Sequence, residues 1–578
     1  MQSIHNNKLG NPGSGKTVLA ASTIGELGGS SSSKVDFPPQ VCYYFFSQTS
    51  TSDNSKRGCY KALASQVFHH FHCLEKVCNI FSLAANQMVT KIKASENEVV
   101  EAVSQCLPHL PNLYFILDGI DECEDLENLV KQLTHWSSIY GLKVLVFSRP
   151  DVAKLRRTVP ESSRIQLTRT VLDPDIAMYI KPEIDSLLEE CLLPGYSNTH
   201  LIINHLVSRA EGMFLWVRLM VSYLSSPAMT KSQRLETIME SDTQGLDRLD
   251  EMYCRIQARI ASSDPYSRGF AHKSLMWVAY SPYPISSLAL KSAICPDGWD
   301  DDVDGSTKAF DHAIIVACSG LIEKNTHRDY QYMHLTALRF TWLGSPRAIS
   351  LAPLLPSESA AKSLLAIRCI THLANELPCK PLSSQRGISI SSAALDSQWP
   401  LLRLASQSWI LLCAGAISAT QETNISVELT SMIGLSEDYL RMGVNLLVWL
   451  EVIYTFEQSP LWRGFAEIIT TSMQHCTLER ARCLLSSLRR LVDDLADIER
   501  NWSRTLSSNP SEIYGDITVF TKSLFFASTK AGSLEQLRPY VKQATGGIQI
   551  PSVQPTFTHT VYSPPADRVA VLSIFPSE

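Results

Sequence analysis

Three observations set the expected fold. Over residues 1–170, strand-length apolar runs alternate with amphipathic helical patterns. The segment Gly10-Asn11-Pro12-Gly13-Ser14-Gly15-Lys16-Thr17 fits the phosphate-cradle pattern G-x-x-x-x-G-K-[ST]. Beyond about residue 170 the strand signals stop and helical patterns take over. Together they predict an α/β P-loop NTPase core, built as a parallel sheet with helices on both faces, followed by a mostly α-helical chain.

Each element has its own signal. The residues before Gly10 are polar apart from Ile4 and Leu9, so the strand leading into the phosphate loop is expected to be truncated, poor or missing. A helix follows over about 16–27, and the Gly/Ser run at 28–33 reads as a surface loop. Residues 41–46 are aromatic and β-branched and follow Pro38-Pro39, which marks a strand. Residues 113–117, 143–147 and 163–167 are further turn-bounded strands, with helical patterns at 59–71 and 97–107. Helices are expected at 173–191, 200–224 and 246–260. Short helices broken at Pro282, Pro284 and Pro296 fill 270–340, and 360–540 is again helical, with a period near 3.6 at 478–495. Residues 556–575 alternate around Ser563-Pro564-Pro565 as strand, turn and strand.

The chain has 578 residues, 45% apolar and 19% charged, which suits roughly three or four globular domains. A net charge of −6 with scattered Lys and Arg leaves no basic footprint for nucleic acid. Lys154-Leu155-Arg156-Arg157 reads as a solvated helix face. The 15 cysteines include no Cys-x-x-Cys, and Cys42, Cys106, Cys369 and Cys413 sit in apolar stretches. That usage implies reduced thiols in a cytoplasmic protein rather than disulfides or zinc. The first eight residues carry no signal-type apolar segment. The longest apolar run, 446–456, is broken by Glu451 and falls short of the about 20 residues a bilayer needs.

The motif's spacing follows from phosphate chemistry. Small residues let consecutive N–H groups curl around the β-phosphate, and the next helix adds its positive N-terminal end. Lys16 would reach the β- and γ-phosphates, and the Thr17 hydroxyl would ligate Mg²⁺. About a hundred residues on, an apolar strand delivers Asp118-Gly119-Ile120-Asp121-Glu122 at the edge where such sheets bind ligands. Asp118 would hold Mg²⁺ directly or through water, and Gly119 would leave room beside the phosphates. Asp121 or Glu122 would orient or deprotonate the attacking water. Arg149, after the next strand, has two readings: a γ-phosphate sensor or a surface arginine. Asn/Thr-Lys-x-Asp is absent, and the nearest run, Ser33-Lys34-Val35-Asp36, precedes the second strand, so adenine is favoured over guanine.

These residues resemble the NACHT family of signal-transducing P-loop ATPases, especially its fungal members. GNPGSGKT, VCYYFFS, FILDGIDEC, KVLVFSRP, DIAMYI, EGMFLWVRLMVSYL, SPYPISSLALKSAI, CSGLIEK and YMHLTALRF occur in that order over about 9–345. The resemblance implies an NTPase core at 1–170, a helical arm at 171–262 and a winged-helix-like region at 263–345. An α-helical region at 346–545 and a tail at 546–578, similar to the start of a WD-repeat blade, would follow. It gives His334 a contact with the nucleotide β-phosphate, against the alternative of a satisfied core histidine. It implies ATP/ADP and Mg²⁺ as cofactors, slow hydrolysis, and self-association through the NTPase domain under an unidentified trigger and effector. Non-self recognition or programmed cell death is the implied setting. No effector domain precedes the loop and no full repeat array follows, so truncation at both ends is expected. The competing expectation is an interaction scaffold without turnover. A metabolic kinase would need an acceptor pocket, for which the helical tail has no signature.

Overall fold

The computed structural model describes residues 6–9, 13–29, 39–46, 55–87, 94–110, 112–149, 152, 155, 157, 159–194, 198–226, 229–239, 248–295, 307–325, 327–343, 353–384, 388, 390–420, 425–457, 462–514, 517, 523, 525–526, 557–562 and 569–574. It divides into two compact units, Met1–Leu365 with Ala419–Leu429, and Ala366–Ser418 with Thr430–Glu578.

The first unit opens with β1 (Asn6–Leu9), α1 (Lys16–Gly29), β2 (Gln40–Phe45), α2 (Lys56–Phe71), α3 (Glu75–Gln87) and α4 (Glu96–Cys106). β3 (Leu113–Asp118), α5 (Leu126–Tyr140), β4 (Lys143–Ser148) and β5 (Arg164–Gln166) complete the core. The strands form one parallel sheet in the order β2-β3-β4-β1-β5. From β1 to β2 the chain crosses the sheet one way, and from β2 through β5 it crosses back. Right-handed crossovers in opposite directions place their helices on opposite faces. Side-chain packing agrees. Ala20 of α1 packs with Val41, Ile116 and Phe147 on one face. Cys42, Phe115, Leu117, Val144 and Val146, alternating with those positions, pack with α2, α4 and α5 on the other.

The leading strand, expected to be truncated, poor or missing, is present as the short strand β1. Asn6–Leu9 is short, but it pairs with β4 through Asn6↔Leu145 to Leu9↔Ser148 and with β5 through Asn7↔Arg164 to Leu9↔Gln166. Backbone pairing on both sides holds it, and the polarity of its side chains does not report that. Local chemistry sets the helix limits. Ser95 and Glu98 form a capping box at α4, and α5 stops at Gly141, in the left-handed region at φ 68°.

Helices follow: α6 (Arg169–Glu189), α7 (Thr199–Ala210), α8 (Phe214–Leu224), α9 (Lys231–Met239) and α10 (Arg248–Ser262). The single helix expected over 200–224 is two, because Glu211 and Gly212 both adopt positive φ, 49° and 79°. Next come α11 (Pro265–Tyr280), β6 (Ile285–Ser286), α12 (Ser287–Ile294), α13 (Lys308–Ala317), β7 (Ile322–Lys324), β8 (Asp329–Tyr332) and α14 (Leu335–Leu343). Their strands pair antiparallel in the order β6-β8-β7. Asp311 ties α13 to this sheet through Lys324 and the Tyr330 hydroxyl.

The second unit is built on helices, among them α15 (Leu402–Ser418), α16 (Val427–Arg441, which starts in the first unit's last segment), α17 (Gly443–Thr455), α18 (Trp462–His475) and α19 (Glu479–Ser508). Its core stacks Trp409, Trp449 and Trp462 edge to face at 5.4 and 5.9 Å. The apolar run around Glu451 is the buried helix α17. The Glu451 carboxylate accepts hydrogen bonds from Leu382 N–H (2.9 Å) and the Tyr514 hydroxyl (2.8 Å). Cys42, Cys106, Cys369 and Cys413 are buried, as their apolar settings suggest. Among the described residues no single helix is long and apolar enough to cross a membrane. The expected strand pair at 556–575 forms as β9 (Phe557–Tyr562) antiparallel to β10 (Val569–Ile574).

Candidate functional site

The site lies where the parallel strands end. The first three motif residues, Gly10, Asn11 and Pro12, lie outside the described residues. Gly13 and Gly15 take φ 74° and 81°, a region that L side chains rarely adopt. Gly15 then leads into α1, whose first residues are Lys16 and Thr17. The Ser14 side chain is buried, and its Oγ has no hydrogen-bond partner among the described residues. A buried hydroxyl left unpaired, within alternating left-handed turns at a helix N-terminus, fits an oxyanion as its missing partner. The residues present therefore fit a nucleotide phosphate.

Asp118, the last residue of β3, lies beside this loop. Thr17 Oγ1 donates to Asp118 Oδ2 at 2.6 Å. Hydroxyl and carboxylate thus sit as neighbouring oxygen donors, a set that suits Mg²⁺. Burial pushes the Asp118 carboxyl above its ordinary value, against the Thr17 hydrogen bond and the Lys16 charge. Burial also lowers Lys16, against the pull of Asp121 and Asp118.

Gly119 shapes the turn after β3. It sits at φ 64°, turning the chain from β3 into a 3₁₀ turn at Ile120–Glu122. A Cβ there would lie 3.2 Å from the Phe46 carbonyl oxygen at the end of β2. The glycine serves the turn and the close approach to β2. The 3₁₀ turn carries Asp121 and Glu122 to the end of β4, where Arg149 meets both. Arg149 Nε is 3.3 Å from Asp121 Oδ2, and its guanidinium is 3.8 Å from Glu122 Oε1. Arg149 N–H also donates to Asp121 Oδ1 at 3.3 Å. Arg149 therefore engages both Asp121 oxygens, a clamp that strand-end position alone does not reveal.

His334 precedes α14. Its Nδ1 accepts from Thr336 N–H at 3.1 Å, which leaves the ring proton of the neutral form on Nε2. The Thr336 hydroxyl lies 2.9 Å from the same nitrogen and 2.7 Å from the Tyr253 hydroxyl. Burial, reinforced by the positive charges of Lys16, Arg149 and Arg339, lowers the imidazole to about 4. Lys16 and Arg149 thus come within electrostatic reach of His334, more than 180 residues away in sequence. Phe214 and Leu215 at the start of α8 also touch the loop, at Gly15 and Gly13. Sequence reading did not place them there, although their apolar run directly after a glycine was visible.

The family described as Nephrocystin 3, N-terminal, matches residues 8–149, which run from β1 to Arg149. Vegetative incompatibility protein HET-E-1 of Podospora anserina is 27% identical over 344 residues, 57% of this chain and 24% of that protein. The family match and this relative support a NACHT/STAND-type protein. The chain spans about a quarter of the length of HET-E-1. Two solved structures are also similar. One is a Signal Transduction ATPase with Numerous Domains protein with a tetratricopeptide repeat sensor from Pyrococcus horikoshii. It is 12% identical with a TM-score of 0.35, covering 93% of this chain and 75% of that one. The other is the Aeropyrum pernix ORC1 protein in complex with DNA, 12% identical with a TM-score of 0.23, covering 58% of this chain and 85% of that one.

Proposed function

We propose that the chain is a nucleotide-switched signalling ATPase that holds Mg-ATP or Mg-ADP at Gly10–Thr17. One observation carries the reading: Thr17, Asp118, Asp121, Glu122 and Arg149 cluster at one sheet edge beside an unpaired buried Ser14 hydroxyl. Lys16 neutralises the β- and γ-phosphates from the head of α1. Thr17 and Asp118 would hold Mg²⁺, which would supply charge neutralisation. Asp121 or Glu122, both met by Arg149, would orient the attacking water. A γ-phosphate drawing Arg149 toward itself would loosen both carboxylates, which favours the sensor reading over that of a surface arginine.

The switch needs a region that favours one nucleotide over the other. The helix, strand, two helices and two strands over 265–332 support reading 263–345 as a winged helix. His334, with its Nε2–H available as a donor to a β-phosphate, would hold that region against ADP. With ATP, this clamp and the arm at 171–262 would release, and the core would self-associate. The helical region 346–545 and the tail 546–578 would carry the trigger. A cytoplasmic role in non-self recognition or programmed cell death follows the NACHT resemblance. The test is binding of fluorescent ATP and ADP to the purified chain with Mg²⁺, beside Lys16→Ala. Saturable binding lost in Lys16→Ala supports the site, and no binding by folded protein leaves the scaffold reading.

A further inference from the structure

The phosphate loop is held from outside by a helix two hundred residues along the chain. The Gly13 carbonyl accepts a 3.2 Å hydrogen bond from Leu215 N–H, in the first turn of α8. A Cβ on Gly13 would lie 2.5 Å from Leu215 Cβ, so the leucine side chain closes on the bare glycine. The Phe214 ring lies 3.6 Å from the place a Cβ on Gly15 would take. First-turn N–H groups have no partner inside their own helix. The loop supplies that acceptor, and the bond fixes which way the Gly13 carbonyl faces. In a nest, outward carbonyls leave the N–H groups to converge on an anion.

The same helix grips a second region further along. Arg218 pairs with Glu323 on β7. Ser222 Oγ fills the space beside Gly320, at φ 77°, where any Cβ would overlap it. Positions 215, 218 and 222 follow the i, i+3, i+7 spacing of one helix face. Between them Trp216, Val217 and Leu219 are buried, so α8 is anchored along its length.

We propose that α8 is a strut that fixes the phosphate loop in its anion-binding shape and carries that shape to the segment 320–324. The idea rests on the reading of the loop as a phosphate cradle. A loop that closes on a phosphate keeps its bond to Leu215 and pins α8. A loop that opens loses the bond, and α8 can shift against Glu323 and Gly320.

The test uses the full chain, a fluorescent ADP analogue with Mg²⁺ for affinity, and hydrogen exchange with and without saturating Mg-ADP. In wild type, Mg-ADP is expected to slow exchange at 320–324. Leu215→Pro, tolerated in a first helical turn, removes the N–H donor. It should weaken binding by about tenfold, the worth of one net hydrogen bond, and abolish the exchange response even at saturation. Leu215→Met should restore both. Glu323→Gln, at a half-exposed pair, should leave affinity within about twofold yet cut the response by at least half. Wild-type affinity and response in Leu215→Pro overturn the strut. If Leu215→Pro does not fold, an undiminished response in Glu323→Gln overturns it alone. A wild-type chain that binds no Mg-ADP overturns the cradle reading itself, and the strut with it.

Discussion

Thr17 Oγ1 and Asp118 Oδ2 stand 2.6 Å apart, joining the phosphate loop to the end of β3 across 101 positions of sequence. Asn at 118 keeps an acceptor for Thr17 but removes the charge. Mg-ATP turnover by Asp118→Asn is expected to drop at least ~100-fold, with nucleotide binding in EDTA within about threefold of wild type. Because burial already disfavours this carboxylate, the melting temperature of the nucleotide-free variant should equal or exceed that of wild type. A fall of several degrees would refute this account of its charge.

Arg149→Ala separates sensing from strand-end packing. If the guanidinium exchanges Asp121 and Glu122 for a γ-phosphate, ATP turnover falls about 10- to 100-fold while ADP affinity stays within about threefold. Unchanged steady-state hydrolysis would return Arg149 to a surface role.

His334 gives a pH signature. Its folded value, about 4, lies below the ordinary 6.5. As pH falls, the unfolded chain takes the proton first. The contribution is therefore fully present above about 6.5 and lost between there and about 4, at most about 3 kcal/mol. Denaturant titrations at pH 7.5, 6, 5 and 4.5 should show this loss. His334→Asn, which retains an acceptor for Thr336 N–H, should flatten it, and a parallel profile in the variant would count against the assignment.

Glu451 has the opposite sign. Burial raises its carboxyl above the ordinary 4.5, so the unfolded chain loses its proton first as pH rises. Its stabilising effect is full below about 4.5 and is lost as pH climbs through the folded value. Glu451→Gln keeps acceptors for Leu382 and Tyr514. It should exceed wild type at pH 7.5 by roughly 1 kcal/mol, the gap closing toward pH 4.5. Guanidinium unfolding at both pH values decides it.

Elements whose burial follows from their own side chains were legible in the sequence. β2, β3 and β4 carry alternating apolar positions that meet α1 on one face and α2, α4 and α5 on the other. β1 was legible only as a truncated, poor or missing strand, since pairing with β4 and β5 uses its backbone. The break between α7 and α8 was hidden because Glu211 takes a left-handed φ that its residue type does not announce. In the site, Asp118 followed from its place at a strand end. The turn role of Gly119 and the contact of Leu215 were silent in the sequence for one cause. Both depend on what another segment brings close, Phe46 in one case and the Gly13 carbonyl in the other.

The two faces of the sheet carry unequal loads. Against the face under α1, the buried cluster among the described residues is Ala20, Val41, Ile116 and Phe147, while the opposite face holds a far larger one. Val18, one residue past Thr17, is 70% exposed. Local opening is easiest where few apolar contacts resist it. The helix bearing Lys16 and Thr17 is thus the lightly ballasted wall of the core. Its amides should exchange well before those of α5, and whatever grips Lys16 and Thr17 contributes to the folding of that wall as well as to its own retention.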